Sequence, residues 1–210
     1  MRQAAETHIM THPEIYLVRH GETEWNRALR YQGQWESDLT DQGQNQARAV
    51  GRRLAQDLPT FDSFTFQCSP LGRCRQTAGL ICEMADIDPA TIIFDDRLME
   101  IHCGRWQGFT RDEVAERFPE DLVERRRDPW NFEIPGGGES RPMLQARARD
   151  WLANLGTNQP ILTVSHGMIG RIIRGLYCDL SPDDMEALET RQGVIWHLKD
   201  GKETLLEGLA

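Results

Sequence analysis

Residues 15–21 read IYLVRHG, a short and β-prone apolar run that is followed almost at once by His20. The same order of residues recurs at 161–167, where ILTVSHG places His166 after a second apolar run. Short runs of this kind are typical of strands that are buried on both faces. The two stretches therefore predict two buried strands, each of which ends in a histidine and a glycine.

Helical patterns alternate with these strands along the chain. The spacing of apolar residues predicts helices over 40–58, 69–85, 144–155 and 169–176, strands over 64–68 and 91–94, and a closing hairpin over 194–206. This alternation favours an α/β fold, a three-layer α/β/α sandwich with a mostly parallel central sheet. Residues 98–140 are rich in loops and short helices, one of them opened by the capping box of Thr110 and Glu113, and predict a small insertion above the sheet.

The composition of the 210 residues excludes several classes of protein. With 39% hydrophobic and 27% charged residues the chain is close to globular averages. The 24 Lys and Arg are outnumbered by 33 Asp and Glu, so binding to nucleic acid through a basic face is not expected. The longest apolar runs, such as residues 15–18, contain four residues, so no membrane span and no membrane partner are expected.

The chain ends and the cysteines bear on domain organisation and cellular setting. Residues 1–13 lack the apolar core of a secretory signal and are expected to be a flexible N-terminal extension. Residues 14–210 are expected to form a single domain. The five cysteines are scattered and never form a C-x-x-C pair, which predicts reduced thiols and a cytoplasmic protein.

The two histidines are predicted to share one site. In open α/β sheets, ligands collect at the carboxyl ends of the strands, where helix N-termini present free N–H groups to anions. His20 and His166 both follow a predicted strand, so we expect them to meet at this edge. Metal binding is the alternative for such a pair, but no H-x-H, H-E-x-x-H or carboxylate cluster accompanies them, so no metal is expected.

Two arginines indicate what this edge of the sheet binds. Arg19 directly precedes His20, and Arg73 lies at the start of the helix that follows the strand at 64–68. A guanidinium group can bind two phosphate oxygens at once. On a chain of net charge -9, local cations of this kind indicate an anionic ligand such as a phosphate group.

Six segments resemble the histidine phosphatase superfamily, the phosphoglycerate mutase-like proteins, in the family's order over residues 14–198. They are RHGETEWN at 19–26, YQGQ at 31–34, LT at 39–40, SPLGRCRQTA at 69–78, GGES at 137–140 and SHG at 165–167. The resemblance implies a three-layer α/β/α domain whose insertion at 98–140 covers the active site. It also implies phosphoryl transfer through a phosphohistidine, with no metal and no cofactor.

The resemblance assigns roles to individual residues. It makes His20 the nucleophile and places Arg19, Arg73 and His166 around the transferred phosphoryl group. Further contacts to substrate are expected from Asn26, Gln32, Gly21, Thr23, Gly33 and Gly167. The family's general acid lies in a stretch that here reads LMEIHCGRWQG at 98–108, which makes Glu100 the acid. Asp95 and Asp96 are close in sequence but precede this motif and are interpreted as loop carboxylates.

The same stretch favours hydrolysis over isomerisation. Its Gly-x-Trp-x-Gly form at 104–108 resembles the phosphatase branch, and segments that shield the phosphoenzyme from water in longer mutases are absent. We therefore expect a metal-independent phosphomonoesterase, a hydrolase of the histidine acid phosphatase type, that acts on a small phosphorylated metabolite. A phosphoglycerate mutase-type isomerase and a non-catalytic binding module are the alternatives. The sequence does not decide between a monomer and a homodimer. His102 and the Arg125–Arg127 run are secondary candidates for substrate contact.

Overall fold

A computed structural model describes residues 12–57, 64–156 and 159–209. Of the N-terminal extension predicted at 1–13, residues 1–11 lie outside the described residues. None of the described helices is long and apolar enough to cross a membrane.

The core of the fold is a mixed sheet of six strands in the order β3-β2-β4-β1-β5-β6. The strands are β1 (Ile15–Arg19), β2 (Thr65–Cys68), β3 (Ile93–Phe94), β4 (Ile161–Ser165), β5 (Val194–Lys199) and β6 (Lys202–Glu207). The first four in chain order run parallel to one another, whereas β5 pairs antiparallel with β1 and forms an antiparallel hairpin with β6 at one edge. The predicted, mostly parallel sheet and its closing hairpin are confirmed.

Helices cover both faces of this sheet. They are α1 (Glu24–Arg27), α2 (Asp41–Asp57), α3 (Gly72–Ala85), α4 (Arg111–Arg117), α5 (Pro119–Arg127), α6 (Arg141–Ala153), α7 (Gly167–Tyr177) and α8 (Pro182–Ala187). Alternate side chains of β1 enter two separate cores, because successive residues of a strand point to opposite faces. Leu17 packs with residues of α6 and α7, and Val18 packs with residues of α2 and α3. The three-layer sandwich is thus confirmed.

Three local features of the sequence had different outcomes. The capping box is present, since the Glu113 N–H donates to Thr110 Oγ1 at 3.2 Å and the Thr110 N–H donates to Glu113 Oε2 at 2.7 Å. The strand predicted at 91–94 is wrong at its start. A 3-10 turn occupies Pro89–Thr91, and Asp88 caps it by accepting the Ala90 N–H at 2.9 Å. The short helix α5 lies within the segment at 98–140, where short helices are predicted, whereas α1 and α8 were not predicted because each is too short for an apolar period to show.

Candidate active site

The two site histidines are neighbours because their strands are neighbours. β1 and β4 pair in parallel with Arg19 opposite Ser165, so the next residues, His20 and His166, leave the sheet side by side. Their imidazole rings lie 5.2 Å apart between centroids, at an interplanar angle of 63°. Both side chains are almost fully buried. The meeting of the two histidines at this edge of the sheet therefore follows directly from strand order.

Arg73 joins the two histidines. It lies in the first turn of α3, and its Nε is 3.3 Å from His20 Nε2 and 3.1 Å from His166 Nδ1. Its two terminal nitrogens donate to the carbonyls of Gly33 at 2.7 Å and Trp35 at 2.9 Å. These contacts hold a buried guanidinium group directly between two imidazole rings.

The contacts of His20 determine which of its two ring nitrogens carries the hydrogen and which keeps the lone pair. Nδ1 lies 2.8 Å from the Gly21 carbonyl, which can only accept, so Nδ1 carries the hydrogen and Nε2 keeps its lone pair. Burial, and after it the positive charges of Arg73 and Arg19, holds the pKa of His20 well below its usual range. At neutral pH the ring is therefore uncharged, with its Nε2 lone pair beside a cation.

His166 is held in the same charge state by a second set of contacts. Its Nε2 is 2.7 Å from Ser69 Oγ, while Nδ1 accepts from Arg73. Burial, followed by the positive charge of Arg73, keeps the pKa of His166 well below its usual range. Ser69 opens the SPLGRCRQTA motif, but the sequence alone assigned it no role.

Arg19 supplies the second cation of the site. One terminal nitrogen donates to the Thr190 carbonyl. Its Nε is buried and has no hydrogen-bond partner among the described residues, so one donor of this cation is unpaired. A Cβ atom at Gly167 would lie 3.4 Å from the guanidinium carbon of Arg19 and 3.7 Å from Glu100 Oε2. The start of α7 therefore brings the cation and the predicted acid close together.

Glu100 lies at the N-terminus of α7. Its Oε1 accepts N–H groups from Ile101 at 2.9 Å and from Met168 and Ile169 at 3.2 Å, and its Oε2 accepts from Met168 at 3.1 Å. Oε2 is thus the less engaged oxygen. The alternative acid Asp95 is instead paired with Arg97 at 2.6 Å, and its hydrogen bond with Arg97 lowers the pKa of Asp95.

A cavity of about 270 Å³ opens in front of these groups. Eight of the eleven predicted site residues line it: Arg19, His20, Asn26, Gln32, Gly33, Arg73, Glu100 and Gly167. His166 is not in its wall but contacts Arg73 from behind. The structure therefore brings most of the predicted site residues together around one cavity, while their roles stay predictions.

Two predicted contact residues have structural partners instead of a place in the cavity wall. Thr23 is buried, caps α1 by accepting the Asn26 N–H at 3.1 Å, and accepts from Gln32 Nε2 at 2.5 Å. The Gly21 N–H donates to Thr77 Oγ1 at 3.0 Å, and a Cβ at this position would lie 2.2 Å from a backbone oxygen of α2. Both residues hold the loop that carries the site, and their contact with substrate stays a prediction.

The secondary candidates for substrate contact do not line this cavity. His102 Nδ1 accepts the Gly104 N–H at 3.0 Å. In the run Arg125–Arg127, the Arg125 guanidinium lies 5.5 Å from the Trp106 ring centroid, and Arg126 Nε donates to the Leu122 carbonyl at 3.0 Å.

The sequence missed the loop before β5. In this loop, the Thr190 carbonyl accepts a hydrogen bond from Arg19. Gln192 Nε2 donates to the His20 carbonyl at 3.1 Å and to Asn26 Oδ1 at 3.0 Å. No motif marks this loop, so no pattern in the sequence could have found it. Within the described ranges, no group of three or more His, Cys, Asp or Glu side chains could hold a metal ion.

Comparison with known proteins agrees with this geometry. Residues 15–205 match the family model for the histidine phosphatase superfamily, branch 1. The chain is 35% identical to phosphoserine phosphatase 1 of Hydrogenobacter thermophilus, over 82% of this chain and 78% of that protein. It is 38% identical to the probable phosphoglycerate mutase GpmB of Photorhabdus laumondii, over 74% of this chain and 70% of that protein.

The solved structure of the α-ribazole phosphatase from Shigella flexneri has the same fold. It superposes with a TM-score of 0.78 at 25% identity, covering 94% of this chain and 96% of that one. Fold, site and family model agree, and the chain belongs to the histidine phosphatase superfamily.

Proposed function

We propose that this chain is a phosphatase of the histidine acid phosphatase type, which hydrolyses a small phosphomonoester through a phosphohistidine at His20 and needs no metal. The observation that carries the proposal is the neutral, buried His20 whose Nε2 faces Arg73. Phosphoryl transfer depends mainly on positioning and on neutralising charge on the phosphoryl oxygens. Arg19, Arg73 and the first turn of α7 supply that charge here.

In the first step, His20 Nε2 attacks phosphorus and the bond from phosphorus to the leaving oxygen breaks. Glu100 donates a proton to that oxygen, so the product leaves as an alcohol. The positive charge that develops on the imidazole is stabilised by the hydrogen bond from Nδ1 to the Gly21 carbonyl. In the second step, Glu100 takes a proton from water, the water oxygen attacks phosphorus, and the N–P bond breaks. Inorganic phosphate leaves and His20 returns to its neutral form.

A mutase is the second candidate, because the relatives include both kinds of enzyme. The two differ in the acceptor of the phosphoryl group, which is water in a phosphatase and a second hydroxyl of the substrate in a mutase. We expect the chain to release inorganic phosphate from a panel of phosphomonoesters, at a rate that EDTA leaves unchanged. Conversion of 3-phosphoglycerate into its 2-isomer without phosphate release would favour the mutase. Loss of activity on chelation, restored by a metal, would contradict the metal-independent mechanism.

The charges around the cavity favour a substrate with a second anionic group. Arg19 and Arg73 are expected to balance the phosphate dianion, and Arg30 is paired with Glu113 at 2.9 Å. Arg111 also lines the cavity, but it is exposed and forms no ion pair within the described part of the chain. Its charge is therefore available to a carboxylate or a second phosphate on the substrate. Phosphoserine and phosphoglycerate, named in two relatives, both carry a carboxylate.

Arg111→Gln is expected to discriminate between substrates. The KM for phosphoserine should rise about 10-fold, because hydrogen bonds to charged groups are worth about 1.5 kcal/mol or more. The KM for phosphoethanolamine, which lacks the carboxylate, should change little. Arg117→Gln, on the same helix but outside the cavity wall, is the matched control. Equal effects of Arg111→Gln on both substrates would contradict a second-anion site at this residue.

A further inference from the structure

The predicted general acid is carried by irregular backbone. Glu100 follows a 3-10 turn at Asp96–Leu98 and belongs to no helix or strand. A general acid must lie within hydrogen-bonding reach of the leaving oxygen, and sites on loops are placed less accurately than sites on helices or strands. The fold therefore needs something that fixes this segment.

Arg147, on α6, binds this segment and does not line the cavity. One terminal nitrogen donates to the carbonyls of Arg97 at 2.9 Å and Met99 at 2.6 Å. The other donates to the Glu100 carbonyl at 3.0 Å. A single guanidinium group thus binds three carbonyls within four residues, the last of them that of the acid itself.

Glu139 completes the arrangement on the other side of the acid. It pairs with Arg147 through two contacts of 2.9 Å, and its Oε2 also accepts the His102 N–H at 2.8 Å. Its own N–H donates to the His102 carbonyl at 2.9 Å. Burial alone would raise the pKa of Glu139, but its hydrogen bond and ion pair with Arg147 outweigh that effect and lower the pKa. The pair is therefore charged at neutral pH.

We propose that Arg147 and Glu139 are positioning residues for proton transfer by Glu100. Together they hold the backbone on both sides of Glu100, so that its carboxyl group stays against the first turn of α7 and faces the cavity. The inference rests on the proposed function, because it assigns these residues to the step in which the leaving oxygen is protonated. It also gives a role to the Glu of the GGES motif, which the sequence left without one.

A role in stability alone is the competing explanation, since the pair is largely buried, with side chains 19% and 16% exposed. The two explanations differ in how the effect depends on the leaving group. A misplaced acid slows only those reactions in which the leaving oxygen needs a proton, whereas a loosened fold slows all of them.

Arg147→Met should therefore be compared in phosphoenzyme formation from an alkyl phosphate and from p-nitrophenyl phosphate, measured by rapid quench. We expect a loss of about 10²-fold with the alkyl phosphate, the scale reached when a reacting group is displaced by about 1 Å, and a much smaller loss with p-nitrophenyl phosphate. In the Glu100→Gln background, Arg147→Met should add little further loss, because both changes act on one proton transfer. Arg97→Met, which removes the ion pairs with Asp95 and Asp150 from the same segment but keeps the Arg97 carbonyl that accepts from Arg147, is the matched control.

Equal losses with both substrates, or full activity of Arg147→Met with the alkyl phosphate, would overturn the proposal. If that variant does not fold, Glu139→Gln decides the question by the same comparison, since it weakens the pair without removing the three bonds to carbonyls. Failure of the unmodified protein to form any phosphoenzyme would count against the proposed function instead.

Discussion

His20→Asn is expected to abolish the phosphoenzyme and to lower kcat by about 10⁴-fold or more, the scale of loss when the nucleophile of a catalytic unit is removed. The substitution suits this position because an amide N–H can replace the donor from Nδ1 to the Gly21 carbonyl. What it removes is the Nε2 lone pair beside Arg73, which no other atom of the new side chain supplies. The fold should therefore survive while the chemistry stops.

The measurement is a brief incubation with a labelled phosphomonoester, followed by an alkaline quench. The unmodified protein should retain acid-labile, alkali-stable phosphate, and His20→Asn should retain none. His197→Asn is the control. His197 lies on β5, does not line the cavity, and its Nε2 forms a hydrogen bond with Glu14 Oε1 at 2.6 Å. Label retained by His20→Asn, or found on a cysteine or an aspartate, would contradict the assignment of the nucleophile.

The histidine half of this site could be predicted because it depends on short patterns and on topology. Two apolar runs indicated two parallel strands, and the carboxyl ends of paired parallel strands must lie together, so His20 and His166 had to meet. The N-terminal position of Arg73 on a helix after a strand could be predicted in the same way. The three-layer fold could be predicted from the alternation of strands and helices. That prediction does not depend on exact boundaries, so the error at the start of β3 left it unchanged.

The acid half could not be derived from patterns in the sequence. Glu100 was identified only through a resemblance, because an irregular loop has no period that would place its side chains. Arg147 reaches the acid across 47 residues, and Gln192 reaches the His20 carbonyl across 172. Neither contact leaves a trace in local sequence. Both depend on how α6 and the loop before β5 pack against the sheet, which becomes known only once the tertiary structure is known.

The effect of Glu100→Gln is expected to depend on the leaving group. An alkyl oxygen cannot depart as an anion, so formation of the phosphoenzyme from an alkyl phosphate should slow by about 10²–10⁴-fold, the usual range for a positioned acid. Nitrophenolate departs without a proton, so the same step with p-nitrophenyl phosphate should slow much less. The amide is a close match in shape, and its oxygen in place of Oε1 can still accept from Ile101, Met168 and Ile169.

The comparison must isolate the first step, because Glu100 is also expected to activate water in the second. Steady-state rates could therefore fall for both substrates once hydrolysis of the phosphoenzyme becomes limiting, and rapid-quench measurement separates the two steps. In the variant, the phosphoenzyme formed from p-nitrophenyl phosphate should accumulate, because it forms readily and is hydrolysed slowly. Equal slowing of phosphorylation with both substrates would show that Glu100 serves binding or fold. The acid would then have to be sought elsewhere, with Asp96 tested first because Asp95 is already paired with Arg97.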